Sequence, residues 1–112
     1  MARHLLVVRT NPQEGKEEEF NRWYSETHIR EVVGIPGFAS AQRFRQAEAQ
    51  IQEPDEFGYL ALYEIETDDL AATLNALQDA VPSLDMGDSL DPVLSVLAFT
   101  PITGRVVAGG ES

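Results

Sequence analysis

The stretch Phe57-Gly58-Tyr59-Leu60-Ala61-Leu62-Tyr63-Glu64-Ile65 decides the fold. It is apolar at positions of both parities, the pattern of a strand covered on both faces, and its aromatic and branched side chains suit a pleated surface. Such a central strand needs neighbours. Upstream, residues 38–45 alternate imperfectly, with Phe38, Ser40, Gln42 and Phe44 on one side and Ala39, Ala41, Arg43 and Arg45 on the other. They read as the partner strand of a long hairpin, whose loop is the polar stretch 46–56 with its Pro54-Asp55 break. Downstream, Thr67-Asp68-Asp69 supplies N-cap chemistry for a helix whose inward stripe is Leu70, Leu74, Leu77 and Val81, ended by Pro82. Residues 85–91 form an acidic connector with room for one helical turn. Residues 93–100 are a last apolar strand, stopped by Pro101.

Toward the N-terminus, the β-branched run 4–10 ends at Asn11-Pro12 and reads as a strand followed by a turn. Asn11 as N-cap, Pro12 in the first helical position and Glu14 three residues on come close to a capping box. Phe20, Trp23, Tyr24 and Thr27 then recur at i, i+3, i+4 and i+7, an amphipathic helix stripe. Past His28 the phase changes, because Ile29 would fall opposite Phe20 on an uninterrupted helix. A break or a new turn is expected near His28, with a stop at Gly34 and Pro36-Gly37. The order is β-α-β-β-α-β, an α+β ferredoxin-like fold with a four-stranded antiparallel sheet and two helices on one face. Residues 1–101 make one domain. Residues 102–112 are a tail containing Gly104, Gly109 and Gly110, frayed at its end. The strands carry apolar residues on both sides (Leu5 and Leu6, Leu60 and Ala61, Val96 and Leu97), so the sheet face away from the helices needs cover. A second copy supplies it. The expected assembly is a homodimer whose sheets pack face to face, curve into a shared barrel and together close a chamber.

Composition narrows the function. In 112 residues, 19 Asp+Glu against 8 Lys+Arg leave a net charge of −11 with no basic cluster, which speaks against nucleic acid and anionic membrane surfaces. No apolar run approaches the ~20 residues of a bilayer span. The N-terminal apolar run is too short for a signal-peptide core, so a cytoplasmic protein is expected. Zero cysteines remove disulfides, thiolate nucleophiles, zinc ribbons and iron–sulfur clusters. His4 and His28 lack metal-site spacing, and Asp85, Asp88 and Asp91 do not match a calcium loop but suit a solvated acidic turn. No phosphate loop, nucleophile elbow or dinucleotide fingerprint is present. No metal or cofactor is expected.

His28 is the main candidate for chemistry, since an imidazole beside an apolar cavity suits proton transfer near neutral pH. The same spacing also fits a structural histidine that caps the helix, interacts with Glu31 or fills space beside Trp23. Tyr59 and Tyr63 share one face of their strand with Ala61 between them, Glu64 facing the other way. They are core aromatics with rim hydroxyls or donors to a developing oxyanion. Arg43 and Arg45 pair with Glu64 across the sheet or with a substrate carboxylate, the first being the expectation. Trp23 walls an aromatic substrate or, as favoured here, anchors the helix in the core. His4 is expected in a solvated or edge position.

The pattern Phe20, Trp23-Tyr24, His28, Pro36-Gly37-Phe38, after a strand and an Asn-Pro turn, resembles the dimeric α/β-barrel superfamily and its EthD-like branch. The likeness spans residues 3–101 in element order, and its motif lies within 20–38. It implies a homodimer with a pocket between helices and sheet in each protomer, lined by His28, and chemistry ranging from cofactor-free oxygenation, cyclisation and isomerisation to haem degradation. The resulting expectation is a small cofactor-independent enzyme acting on a cyclic or aromatic carbonyl compound. His28 serves as general acid/base, Tyr59 or Tyr63 as hydrogen-bond donor, and Trp23, Tyr24, Phe38 and Arg43 as substrate contacts. One alternative is a non-catalytic dimer that binds a small ligand or supports a partner enzyme. Another is a haem-binding monooxygenase with His28 or His4 as axial ligand, although Asn11 and Trp23 do not match the Asn and Trp of haem-degrading relatives. Fold does not fix reaction.

Overall fold

Antiparallel pairing organises the chain in a computed structural model that describes residues 2–109. Strand β1 (Ala2–Thr10) runs beside β3 (Tyr59–Thr67), β2 (Phe38–Arg45) flanks β3, and β4 (Ser95–Phe99) flanks β1. The order β2-β3-β1-β4 puts the doubly apolar strand in the interior, as its sequence requires. Helix α1 (Glu17–Trp23), a π-turn over Tyr24–His28 and α2 (Ile29–Val33) form one continuous helical run between β1 and β2. Helix α3 (Leu70–Ala80), continued by a 3-10 turn over Val81–Ser83, joins β3 to β4. This is the ferredoxin-like arrangement expected. The fraying expected at the end of the tail falls on residues 110–112, outside the described residues.

Period-two alternation sorts the sheet into two faces. Leu6, Ala61, Tyr63 and Ile65 point toward the helices and are buried with Phe20, Tyr24, Val32, Ile35 and Phe38. Fully burying a side chain such as Phe20, at 0% exposure, is worth about 1.5–3 kcal/mol. The opposite face carries Leu5, Val7, Leu60, Leu62, Phe44, Leu97 and Phe99 in register. Phe44, Leu97 and Phe99 are 42%, 51% and 52% exposed, so this face is apolar and open.

Local chemistry departs from the sequence reading in several places. Asn11 caps no helix. Its Oδ1 accepts from Gly58 N–H at 2.9 Å and its Nδ2 donates to Glu56 C=O at 2.9 Å, which ties β1 to the hairpin loop. The helix starts later, after a turn through Gly15 (φ +78°), with Lys16 at its N-cap position. A register shift between Phe38 and Ser40 turns Phe38 onto the helix face with Ala41 and Arg43, instead of leaving it beside Ser40 and Phe44. His4 is buried, not solvated, because β1 is an interior strand. Its Nδ1 is hydrogen-bonded to Thr100 Oγ1 at 2.9 Å. On α3, Asp69 caps the helix by accepting from Ala72 N–H at 3.0 Å, as expected. Thr73 is the residue buried on that helix, whereas Val81 is exposed. The connector 85–91 contains no helical turn and is instead pinned to the segment between β1 and the first helical run. Gln13 N–H donates to Ser89 C=O at 2.7 Å, and Asp91 N–H donates to Asn11 C=O at 3.0 Å.

Gly37 marks the joint between α2 and β2. Its φ is +97°, and a Cβ there would stand 2.8 Å from Thr73 Cγ2. Gly15 shares the left-handed conformation but has open space around it. Gly15→Ala should therefore cost about 1 kcal/mol of backbone strain. Gly37→Ala should cost about 3 kcal/mol, because strain and the clash with α3 add. Urea midpoints of the two variants, at unchanged slope, measure the difference.

Candidate functional site

A cavity of about 230 Å3 lies between the helical run and the sheet, within one chain. Its floor is the inward row Leu6, Val8 and Thr10 of β1, with Tyr63 of β3 and Val96 of β4. Its roof is Tyr24, His28 and Val32 from the helical run, with Leu77 of α3. Val81, Met86, Leu90 and Leu94, on and after the 3-10 turn, complete the wall. The exposed members Val81, Leu94 and Val96 mark the mouth. All sheet residues in this lining belong to the helix-facing rows. The open apolar face takes no part in it, so the chamber is enclosed by one chain and owes nothing to pooled sheets.

The π-turn aims the polar members of the roof. An uninterrupted α-helix drifts about 40° for every i, i+4 step, because four residues exceed one turn of 3.6. The wider turn over Tyr24–His28 offsets that drift and keeps Phe20, Tyr24, His28 and Val32 all buried against the sheet. This is the phase break expected near His28.

His28 is buried between two aromatic rings. It stacks on Trp23 with centroids 4.7 Å apart and meets Tyr24 edge-on at 4.9 Å. Its Nδ1 is buried without a hydrogen-bond partner among the described residues. Burial pushes the imidazole below the usual histidine range, and the Glu31 charge opposes that. The ring is thus a neutral base at physiological pH. Beside it, Tyr63 Oη donates to Tyr24 Oη at 3.3 Å, a buried pair of phenols at the cavity wall. Burial pushes both phenols up, more strongly for Tyr63, while Arg43 pulls each back. They remain neutral donors.

The other sequence candidates lie just behind this wall. Trp23 donates from Nε1 to Asp85 C=O at 2.6 Å and so fastens the connector, while its face supports His28. Phe38 packs edge-on against Tyr63 at 5.9 Å, one layer behind the cavity. Tyr59 sits on the inward face, but its hydroxyl donates to Glu17 and accepts from Asn21 Nδ2 at 3.2 Å, away from the cavity. Arg43 does not pair with Glu64, because inward and outward rows separate them. Its guanidinium instead covers the rings of Tyr24, Phe20 and Tyr59 at 4.6, 5.3 and 5.5 Å. It donates to Ser25 Oγ at 2.8 Å and Asn21 Oδ1 at 3.0 Å. Glu64 stands opposite Leu5 and Ser40 on the outer face. Thr10, Met86, Leu90 and Leu94 were not singled out from sequence. Only Thr10 left a signal there, as the last inward residue of β1. No group of three or more His, Cys, Asp or Glu side chains suited to a metal occurs among the described residues.

No protein-family model matches this sequence, and no curated protein matches it. Solved structures do share its backbone. An EthD (ethyl tert-butyl ether) family protein from Bacillus halodurans C-125 is 16% identical, with TM-score 0.59 over 91% of this chain and 100% of that one. SnoaB from Streptomyces nogalater, a cofactor-independent oxygenase, is 17% identical in a mutant form, with TM-score 0.55 over 92% and 96%. The heme-degrader MhuD from Mycobacterium tuberculosis, with two hemes in its active site, is 19% identical, with TM-score 0.58 over 92% and 99%. At these identities the likeness is one of fold, and it agrees with the ferredoxin-like element order read from the sequence.

The neutral state of His28 makes a prediction about acid. The unfolded imidazole protonates near 6.5, and the folded one only at lower pH. Stability contributed by neutral His28 is therefore present above that value and is lost as pH falls below it. Urea unfolding at pH 7.5, 6.5 and 5.5 should show a larger loss for the natural protein than for His28→Gln.

Proposed function

We propose that the protein is a small cofactor-independent enzyme that moves a proton on a cyclic or aromatic carbonyl compound held in the cavity. The observation that carries this reading is His28: a neutral imidazole, held between Trp23 and Tyr24, in the wall of a chamber otherwise almost entirely apolar. An apolar cavity of 150 Å3 binds benzene, so a space of about 230 Å3 suits one or two fused rings. His28 takes a proton from the carbon next to the carbonyl, and the electron pair moves onto the carbonyl oxygen. The Tyr63–Tyr24 hydroxyl pair donates to that oxygen as charge develops on it. Returning the proton to another carbon completes an isomerisation, and attack of the enolate on a second carbonyl of the same molecule completes a cyclisation. With a quinol, molecular oxygen is the co-substrate and oxidant instead: one of its atoms is bonded to the deprotonated ring as a new oxygen substituent, and the other leaves as water with the two hydrogens lost from the ring. The fold shared with a cofactor-independent oxygenase supports this class of chemistry.

A haem fits these residues poorly. The cavity is smaller than the ~300 Å3 at which pockets for drug-sized ligands begin. His28 also lies flat against Trp23 and edge-on to Tyr24. His4 is spent on Thr100.

The open sheet face supports the homodimer reading, since an apolar surface of seven side chains on a monomer invites association. Sedimentation at micromolar concentration should give twice the 12.4 kDa protomer mass, and a single protomer would remove the dimer. For the chemistry, the protein is incubated with a panel of cyclic and aromatic carbonyl compounds and products are read by mass spectrometry. His28→Ala should slow turnover by about 10²–10⁴-fold, the usual worth of a general base. Activity within a few-fold of the natural protein would overturn the assignment. Saturable binding without any product would favour a non-catalytic ligand-binding protein.

A further inference from the structure

Two buried side-chain polar atoms stand without a hydrogen-bond partner among the described residues: His28 Nδ1 and Glu31 Oε1. Such orphans are rare in folded proteins and call for a physical account. These two are complementary, one a potential N–H donor and the other a carboxylate acceptor, and they lie three residues apart where the π-turn passes into α2. Residues at i and i+3 of a helical run are neighbours on its surface. No ion pair joins the two directly. A single loop residue, Asp85, steadies both sides of the pair. Asp85 N–H donates to Glu31 Oε2 at 3.3 Å, while Asp85 C=O accepts from Trp23 Nε1 at 2.6 Å. Trp23 in turn stacks on the imidazole. The carboxylate is thus held by one oxygen, and its other oxygen is left buried and free.

We propose that Glu31 is the positioning residue of His28, with one bridging water that accepts from His28 Nδ1–H and donates to Glu31 Oε1. Two polar partners and a gap too wide for a direct bond are the conditions under which a buried water is held. The proton then stays on Nδ1 and the lone pair on Nε2, because the partner of one ring nitrogen sets the tautomer of the other. This deepens the reading of His28 as a base and rests on that reading for its catalytic meaning. The charge of Glu31 works in the same direction, favouring the imidazolium that forms when the base takes a proton. The other titratable groups facing the ring are Tyr24, from its own helical run, and Tyr63, from β3, and burial keeps both phenols neutral. From α3 and the connector, the cavity wall beside it is the apolar Leu77 and Met86. Glu31 is the charged side chain acting on His28.

The test is a nitrogen-15 NMR titration of the full-length protein with labelled histidine. Natural protein should show neutral His28 protonated at Nδ1. In Glu31→Gln the His28 midpoint should move to lower pH and the two tautomers should mix, while Glu31→Asp keeps the carboxylate and restores part of the shift. A neutral ring protonated at Nε2 in the natural protein would overturn the proposal, even if neither variant folds. So would an unchanged midpoint and tautomer in a folded Glu31→Gln. With any compound the natural protein converts, Glu31→Gln should lower kcat and leave KM unchanged. Absence of product from the natural protein bears only on catalysis and leaves the NMR outcome decisive for the pairing.

Discussion

Within the π-turn over Tyr24–His28, each peptide N–H reaches one residue further back than in an α-helix, and this widening sets the line along which the helical run meets the sheet. Phe20 at one end of that line is fully buried in the core, and Val32 at the other is nearly so. Tyr24 and His28, between them, face the cavity. Were the run a regular α-helix, the drift would carry one end of the line away from the sheet. Either Phe20 would lose its place in the core or His28 would swing toward solvent. The irregularity costs some helical hydrogen-bond quality. In return, packing at one end and the cavity at the other are reconciled.

Arg43 shows how a charge can be carried inside such a layer. A buried cation without a compensating partner is costly. Here burial holds the guanidinium below its ordinary range, yet the ring faces of Phe20, Tyr24 and Tyr59 surround it and neutral oxygens of Ser25 and Asn21 accept its hydrogens. Cation–π contacts are worth about 0.5–1 kcal/mol at exposed sites and more as water is excluded, and the half-buried guanidinium lies between those limits. The group thereby clamps β2 to α1 and also places positive charge behind the two phenols of the cavity wall. One side chain serves both packing and the electrostatics of the site.

Element order was readable from residues 57–65 outward, because a doubly apolar strand permits few neighbours. The change of turn near His28 was readable too, since Ile29 could not follow Phe20 on one regular helix, although the run continues through it without a break. The failures have local causes. Asn11 offers good cap chemistry, but the hairpin loop competes for its side chain through Gly58 and Glu56, and the helix starts past Gly15. Phe38 obeys alternation in sequence, yet a bulge at the next residue reverses its face. Arg43 and Glu64 look like cross-strand partners until register assigns them to opposite faces. Met86, Leu90 and Leu94 carry no periodic signal, because they line the cavity from an irregular segment whose path depends on contacts with Gln13, Asn11 and Trp23.

That irregular segment divides the chamber into two kinds of wall. Leu6, Val8, Thr10 and Tyr63 are locked by strand pairing, so altering them disturbs folding. The connector is held largely through its backbone, by Ser89 and Asp85 carbonyls and the Asp85 and Asp91 amides. Asp88 adds a side-chain ion pair to Lys16 and Ser89 is buried, but the side chains of Met86 and Leu90 take no part in these bonds. Met86, Leu90 and Leu94 therefore form the natural target for a mutational library, a place where new selectivity can evolve while the scaffold keeps its stability.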